Sequence, residues 1–371
     1  WNERQLTLKG KAVILRTYAI ATIVYLASMF MLPESCITRI RNASFRFLWD
    51  NKNELVSRET CYLPMRDGGL GIPDIHITKT IGIIKWIRDL TNRAKTSSWL
   101  AYGRYWTGHV LGCTKDEWQW LRKNTQPHGE PNKAPMWYTE LIQFVIRHRG
   151  CLQKIDAGNL TTRALRKMIE NDRKHQPRCV ALWQRLIHPR PQFIWDKLWS
   201  SKSENKAKEF LWKLTHRVLT TKDYLRKWGM AVDPSCPFCQ HPEDMHHAIV
   251  SCHRARQLWT DLQTLLTAVA GRNIQITLET LAFRYNLPQD ESAEELCHYI
   301  ITTGAELLWR TRNKKIYTPT FHPGRMKQQV LSVIKRRIQT EFYQNPARIE
   351  QFWGYKDVMV RIKDGQLCFS I

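Results

Sequence analysis

Acidic residues and long apolar runs are both scarce in this sequence of 371 residues. Asp and Glu together number 33, and no two Asp residues are adjacent anywhere in the chain. The most extended apolar run, residues 13–32, contains Arg16, and its uncharged part is shorter than the roughly 20 residues that a membrane span requires. No signal peptide is evident. We therefore predict no membrane association and a buried core helix in this run.

The cysteines lack the regular spacing of a disulfide framework. Seven of the ten are scattered along the chain, among them Cys36, Cys113 and Cys297, which suits a reducing intracellular compartment. The chain begins at Trp1 without a Met and opens directly into a helical pattern. From this we expect a fragment of a longer polypeptide.

Basic residues are abundant, in contrast to the acidic ones. The 57 Lys and Arg give a formal net charge of +24, and they are spread along the whole chain. A polyanion is the usual partner of so basic a surface, because each neutralised phosphate releases counterions. The composition therefore predicts nucleic-acid binding, with a merely solvated basic surface as the alternative.

One short region concentrates soft metal ligands. Cys236, Cys239, His247 and Cys252 are separated by two, seven and four residues. Four sulfur and nitrogen donors make a closed tetrahedral zinc site, which is structural because no position remains for a reactive water. The spacing predicts one structural Zn²⁺, with His246 competing with His247 as the nitrogen ligand.

Other uses of this Cys-x-x-Cys pair fit less well. In the plainest alternative, two of the cysteines are unliganded core thiols and the histidines lie on a solvated surface. A thioredoxin-like redox pair requires a βαβ setting and gives no role to His247 or Cys252. A zinc nucleobase deaminase needs His-x-Glu upstream of the cysteines, and none precedes Cys236.

The remaining periodicity is mostly helical. Apolar spacing predicts a long helix from about Thr7 to Pro33, and further helices near residues 34–50, 210–218, 296–308 and 326–342. Thr221 and Gly229 have the character of an N-cap and a C′ residue around a short helix. Alternating apolar residues on both sides of Asp364-Gly365 predict a type I′ hairpin. The predicted fold class is mainly α: a multi-segment helical protein with a small CCHC zinc knuckle and a C-terminal β-hairpin.

Two of the following three local features are open to two readings. The glycine-rich turn at residues 63–73 favours a structural turn over a phosphate cradle, since no Lys-Ser/Thr follows. Residues 124–135 are predicted to be a connector. A basic helix at residues 161–174 is either a phosphate-facing ridge or a solvated face.

Two blocks of this sequence resemble the C-terminal half of reverse transcriptases from LINE-type (non-LTR) retrotransposons. The first resembles the thumb, and the second, which is the more specific, resembles the reverse-transcriptase zinc-binding domain. The first block comprises Trp1–Lys11, the helix through Tyr25 to Pro33, Phe47–Trp49 and Gly68–Pro73. The second comprises Trp195, Trp199, Phe210–Trp212, Thr221–Asp223, Leu225, Asp233-Pro234, the knuckle and Trp259.

The resemblance implies a ligand set and a division of the chain. In that family the Cys, Cys, His and Cys of the knuckle bind zinc, which selects His247 over His246. Gln240 departs from the family pattern, in which Gly often follows the second Cys, and a positive φ there would strain Gln. The implied segments are a thumb-like helical segment (1–75), a helical connector (76–190), the zinc-binding domain (191–262) and a C-terminal helical region (263–371).

The resemblance implies RNA-directed DNA polymerase activity for the parent protein. That chemistry requires paired carboxylates holding two metal ions roughly 3.5–4 Å apart. Since the chain has no Asp-Asp dipeptide, we expect the palm motif, with its Mg²⁺, upstream of Trp1. We assign no catalytic residue.

The leading hypothesis is a segment that grips template RNA and target DNA for that polymerase, in the cytoplasm and nucleus. Its partners would be RNA, DNA and the rest of the reverse transcriptase polypeptide. The runner-up is a domesticated or decayed remnant in which zinc folds a protein-interaction module, and a free-standing enzyme is third. Candidate nucleic-acid contacts are Lys9, Lys11, Arg16, Lys335, Arg336 and Arg337.

Overall fold

The computed structural model describes residues 4–29, 32–91, 95–111, 134–147, 161, 175–363 and 365–371. These residues form a mainly helical protein with one two-stranded antiparallel sheet among them. The chain divides into two compact units. Unit 1 comprises Trp1–Glu54 and Gly71–His175, and unit 2 comprises Leu55–Leu70 and Gln176–Ile371. The predicted fold class is confirmed, whereas the four-segment division stays a prediction.

Unit 1 contains six of the helices described. They are α1 (Leu8–Ile14), α2 (Ile20–Met29), α3 (Glu34–Leu48), α5 (Ile75–Thr91), α6 (Ser98–Leu111) and α7 (Met136–Arg147). A π-helical turn, Leu15–Ala19, joins α1 to α2, so the long helix predicted from Thr7 has one wider turn. Thr7 caps α1 by accepting a hydrogen bond from the Gly10 amide at 3.2 Å. Helices α5, α6 and α7 pack around a common apolar cluster that includes Ile87, Leu100 and Leu141.

Unit 2 contains the remaining elements. Its helices are α4 (Arg58–Tyr62), α8 (Arg178–Leu186), α9 (Trp195–Ser200), α10 (Asn205–Thr215), α11 (Lys222–Lys227), α12 (His253–Ala270), α13 (Leu278–Phe283), α14 (Glu291–Tyr317), α15 (Met326–Gln344) and α16 (Ala347–Phe352). Two short strands, β1 (Val360–Lys363) and β2 (Gln366–Phe369), end the unit. Between α11 and α12 lies the segment of the predicted knuckle, residues 236–252, called the knuckle below.

Helix α14 is the centre of unit 2. It contacts α10, α12, α13 and α15. Every residue from Leu296 to Ala305 is buried. Because these residues cover all faces of the helix, α14 is enclosed on all sides here. Gly304 allows the Trp259 ring of α12 to approach, because a Cβ at that position would lie 2.9 Å from the ring. The core of the second unit is therefore built around this one helix.

The glycine-rich turn is part of this packing. Residues 55–70, which the sequence analysis assigns to the thumb-like segment, pack within unit 2. The carbonyl oxygen of Gly68 accepts a hydrogen bond from Trp212 Nε1 at 2.9 Å and lies 2.8 Å from His216 Nε2. Gly68 has a φ of 88°, and a side chain there would collide with Trp195. The turn thus has a structural role, as predicted.

Several local predictions are confirmed. The Thr221 hydroxyl caps α11 through the Tyr224 amide, and Gly229 has a φ of 80° just beyond the helix. The strands pair antiparallel, with Lys363 opposite Gln366 and Gly365 in the turn at a φ of 73°. The predicted connector at 124–135 and the basic helix at 161–174 lie almost wholly outside the described residues. Of the helices described, none is both long enough and apolar enough to cross a bilayer.

Candidate metal centre

The first half of the knuckle is a tight backbone loop. Residues Ser235 and Pro242 form an antiparallel bridge, and the Cys236 amide donates to the His241 carbonyl at 2.8 Å. The Gln240 amide donates to the Cys236 carbonyl at 3.1 Å, which closes the turn that carries both cysteines. Gln240 has a φ of 62°. The strain anticipated from the sequence is therefore present, because a residue with a Cβ disfavours this left-handed region.

The second half of the knuckle places the other two ligands at the two ends of one helical turn. Asp244 fixes the start of this turn: its carboxylate accepts a hydrogen bond from the His247 amide at 2.7 Å. A π-helical turn spans His247–Ser251, and Cys252 follows as the N-cap residue of α12. The Cys252 amide donates to the His247 carbonyl at 2.8 Å. The wider π-turn thus brings the histidine and the cysteine to the same side of the loop.

The four candidate ligand atoms converge. All lie within 4.8 Å of one another. The Cys252 sulfur is 3.8 Å from that of Cys236 and 3.9 Å from that of Cys239, and His247 Nε2 is 3.2 Å from the Cys239 sulfur. A tetrahedral ion about 2.3 Å from each sulfur holds two sulfurs about 3.8 Å apart, whereas a disulfide requires about 2.05 Å. The sulfur spacing therefore fits a structural zinc and does not fit a disulfide.

The surroundings favour closed coordination. Cys236 and Cys252 are buried, while Cys239 and His247 are half-buried. The contact between the Cys236 and Cys252 sulfurs lowers the pKa of Cys252 and, with burial, raises the pKa of Cys236. Burial lowers the pKa of His247 and so favours the neutral imidazole, the form that binds metals. His246 is exposed and lies outside the cluster.

A buried ion pair joins the knuckle to the central helix, and the sequence analysis missed it. Glu243 is only 1% exposed. Its carboxylate accepts a hydrogen bond from Arg312 Nε at 2.9 Å and a second, very short one from Arg312 Nη2. The same carboxylate accepts the Lys222 amide at 3.1 Å, and Arg312 also donates to the Thr220 carbonyl. The guanidinium lies 4.8 Å from the centre of the Trp309 ring. This network fixes the knuckle against α11 and α14.

The cations predicted in the first block differ in their exposure. Arg16 is exposed, and Lys9 is half-buried. The Lys11 side chain is only 4% exposed, and its ammonium pairs with Asp50 at 2.5 Å. Lys11 lies three residues after Leu8, on the same face of α1 as the other buried residues of this helix. The helical period therefore predicts that this side chain is turned towards the interior. A phosphate contact by Lys11 would require breaking its ion pair.

The three cations predicted on α15 also separate into two groups. Arg337 is paired with Glu341 at 2.6 Å and with Glu204 at 2.9 Å. Lys335 lies 5.4 Å from the centre of the Phe369 ring, and Arg336 is exposed. In the described part of the chain, neither Lys335 nor Arg336 forms an ion pair with a carboxylate. These two side chains line one surface groove of the helix.

The fold and the site together define a mainly helical protein with a Cys₃His group that could hold a structural zinc ion. Residues 161–259 match the family described as zinc-binding in reverse transcriptase, and the knuckle lies inside this match. The chain is also 24% identical, over 191 residues, to the transposon TX1 uncharacterized 149 kDa protein of Xenopus laevis. That alignment covers 49% of this chain and 14% of the Xenopus protein. The two matches support the predicted resemblance to a LINE-type retrotransposon reverse transcriptase.

Proposed function

We propose that this chain is a nucleic-acid-binding part of a retrotransposon reverse transcriptase, stabilised by one structural zinc ion. In this role it holds template RNA and target DNA for a polymerase whose paired carboxylates have no Asp-Asp counterpart in this sequence. The observation that carries the proposal is the convergence of four zinc-type ligands inside the region that matches the reverse-transcriptase zinc-binding family. The strongly positive net charge, +24, supports a polyanionic partner.

The zinc ligands in this proposal are Cys236, Cys239, His247 and Cys252. Their spacing leaves no open coordination position, so the ion would cross-link the loop to the start of α12 and would not activate water. Elemental analysis of the purified chain should give about one zinc. His247→Ala should lose it, while the matched variant His246→Ala, one residue away on the exposed side, should keep it. Zinc retained in His247→Ala would refute this ligand set.

Nucleic-acid binding is tested directly by fluorescence anisotropy with labelled single-stranded RNA, single-stranded DNA and duplex DNA. If phosphate contacts dominate, the logarithm of the affinity falls linearly with the logarithm of the salt concentration. A chain with six or more contacts should lose at least a factor of about 10³ between 50 and 200 mM salt on duplex DNA. An affinity that does not change with salt would refute an electrostatic grip.

A zinc-stabilised protein-interaction module is the second candidate, and one observation favours it. Trp228 and Met230, directly before the knuckle, are 47% and 42% exposed. Exposed apolar side chains of this size occur at protein interfaces. The salt titration separates the two functions, because an interaction module would bind RNA and DNA weakly and would show no preference between them. Strong binding with a steep salt dependence would exclude this second function.

A further inference from the structure

The surface of unit 2 carries two grooves that share Gln328. One follows the exposed face of α15 and includes Lys335 and Arg336. The other lies between the first turns of α12 and α15 and includes Arg254, Arg325 and Lys327. We call the surface formed by these residues the basic track: Arg254, Arg325, Lys327, Gln328, Lys335 and Arg336. It adds three cations to those that the sequence analysis named.

The positive charge of the basic track is not neutralised within the described part of the chain. Its lining includes a single carboxylate, Asp261, and none of its five cations forms an ion pair with a described carboxylate. Arg337, on the same helix but outside both grooves, is held instead by Glu341 and Glu204. On α15, the cation that forms ion pairs with carboxylates thus lies outside the basic track, and the cations without such ion pairs lie on it.

The two helices that border the basic track begin with basic residues, which is electrostatically unfavourable unless an anion binds there. The N-terminal end of a helix carries partial positive charge, so acidic residues stabilise the first turn and basic residues destabilise it. Neither α12 nor α15 has an acidic residue in its first turn. Instead, Arg254 is the second residue after the N-cap of α12, while Arg325 and Lys327 flank the start of α15. Bound phosphate would neutralise this excess of positive charge.

The length of the basic track suits several phosphates. Arg325 and Arg336 are separated by eleven residues, which is roughly 16 Å at 1.5 Å per helical residue. One strand of a duplex places successive phosphates about 3.4 Å apart along the axis, so this length corresponds to about five nucleotides. Glutamine and serine side chains between the cations supply further hydrogen-bond donors to phosphate oxygens.

The knuckle holds one end of the basic track. Arg254 lies two residues after Cys252 and donates a hydrogen bond to the Pro323 carbonyl at 2.9 Å. Its guanidinium also lies 5.8 Å from the centre of the Phe238 ring, and Phe238 stands between the two cysteines of the first pair. The loop that carries the ligands and the segment before α15 therefore meet at this arginine.

We propose that the basic track binds the phosphodiester backbone of a nucleic-acid strand. The inference rests on the proposed function and deepens it, because it assigns the grip to one surface of unit 2. The polar and charged side chains contact phosphate, and no base-reading contact is required. The knuckle positions Arg254 at the end of the track.

Two quadruple variants of the full chain test this assignment. The track variant carries Arg325→Gln, Lys327→Gln, Lys335→Gln and Arg336→Gln; Arg254 is kept because it contacts Pro323. The control variant loses the same charge at exposed cations outside the track, and it carries Arg185→Gln, Lys206→Gln, Arg226→Gln and Arg256→Gln. Circular dichroism and zinc content establish that both variants are folded. Affinity is then measured by anisotropy over a range of salt concentrations.

The track variant should bind at least about tenfold more weakly than wild type at 150 mM salt, and its salt slope should be smaller by about 3 on single strands and about 4 on duplex DNA. The control should stay within about threefold, with nearly the wild-type slope. Equal losses in the two variants would overturn the track while leaving the proposed function intact. A wild-type chain that binds neither RNA nor DNA would overturn both. Parallel measurements with single-stranded RNA, single-stranded DNA and duplex DNA identify which backbone the track prefers.

Discussion

Replacing Arg312 should destabilise unit 2 more than replacing almost any other charged side chain in it. The guanidinium makes a two-pronged contact with Glu243, and the side chains of both residues are nearly inaccessible, at 6% and 0% exposed. In Arg312→Met the aliphatic part of the side chain is retained and the charge is removed. The Glu243 carboxylate then remains buried, with the Lys222 amide still donating to it.

The expected magnitude follows from the uncompensated charge. Removing one partner of a buried ion pair costs about 3–5 kcal/mol, whereas removing both partners is often close to neutral. We therefore expect Arg312→Met to lower the free energy of unfolding of unit 2 by about 3–5 kcal/mol. The double variant Arg312→Met/Glu243→Gln should recover a large part of this loss. Because zinc binding and folding are linked, Arg312→Met should also weaken zinc binding in competition with a chelator.

The measurement is urea unfolding of the zinc-loaded chain, followed by tryptophan fluorescence, for the single and double variants. Arg310→Met on the same helix is the matched control: Arg310 is 56% exposed and its contact with Glu306 is 3.7 Å long, so a change within about 0.5 kcal/mol is expected. A cost below about 1 kcal/mol for Arg312→Met would refute the reasoning. So would a double variant whose loss equals the sum of the two single losses, since that result would mean the pair is not coupled.

The remaining predictions concern backbone strain and pH. Gln240→Gly should stabilise the zinc-loaded protein by about 1 kcal/mol, because Gly accepts the φ of 62° without a Cβ clash; Gln240→Ala should bring no such gain, and equal urea midpoints for the two would contradict the strain. Burial lowers the pKa of His216 to about 4 and that of His298 to about 3, from an ordinary 6.5. Because the unfolded chain then binds protons that the folded chain does not, stability should be complete above pH 6.5 and should fall towards pH 4, by about 1.4 kcal/mol per pH unit for each histidine. His216→Gln should reduce this slope in urea titrations between pH 7 and pH 4.5, and an unchanged slope would show that His216 does not contribute.

Features set by neighbouring residues were predictable from the sequence. The knuckle spacing places two cysteines on one turn and the remaining ligands around the next, so a close group of four follows from local geometry. The Thr221 cap and the Gly229 end of α11 depend on side chain and backbone preferences of a few residues. The hairpin around Gly365 has the same origin. In each case the interacting groups are close in the chain, and few alternative arrangements compete.

Features set by tertiary packing were not predictable in this way. Glu243 and Arg312 are 69 residues apart, and neither carries a sequence pattern that identifies its partner. The exposure of a cation also depends on which helical face is covered. Lys11 and Lys335 are both lysines in helices, yet Lys11 is buried in an ion pair with Asp50, whereas Lys335 lines a surface groove. The burial of Lys11 could have been predicted from the apolar spacing of α1, because Lys11 lies on the same helical face as the buried residues of that helix.

The contacts of the knuckle explain why a structural role for zinc suits this protein. The knuckle is too small to bury a core of its own, and its Ile249 is completely buried in unit 2. The Ile249 carbonyl accepts a hydrogen bond from Trp259 Nε1 at 2.9 Å, and Trp259 in turn packs against Gly304 of the central helix. An ion bound by the four ligands would therefore hold together a loop, a π-turn and the start of α12, all of which contact α14. Loss of zinc would therefore loosen the packing of the whole unit. It would also disturb the basic track, because Arg254 lies in the first turn of α12, two residues after the ligand Cys252.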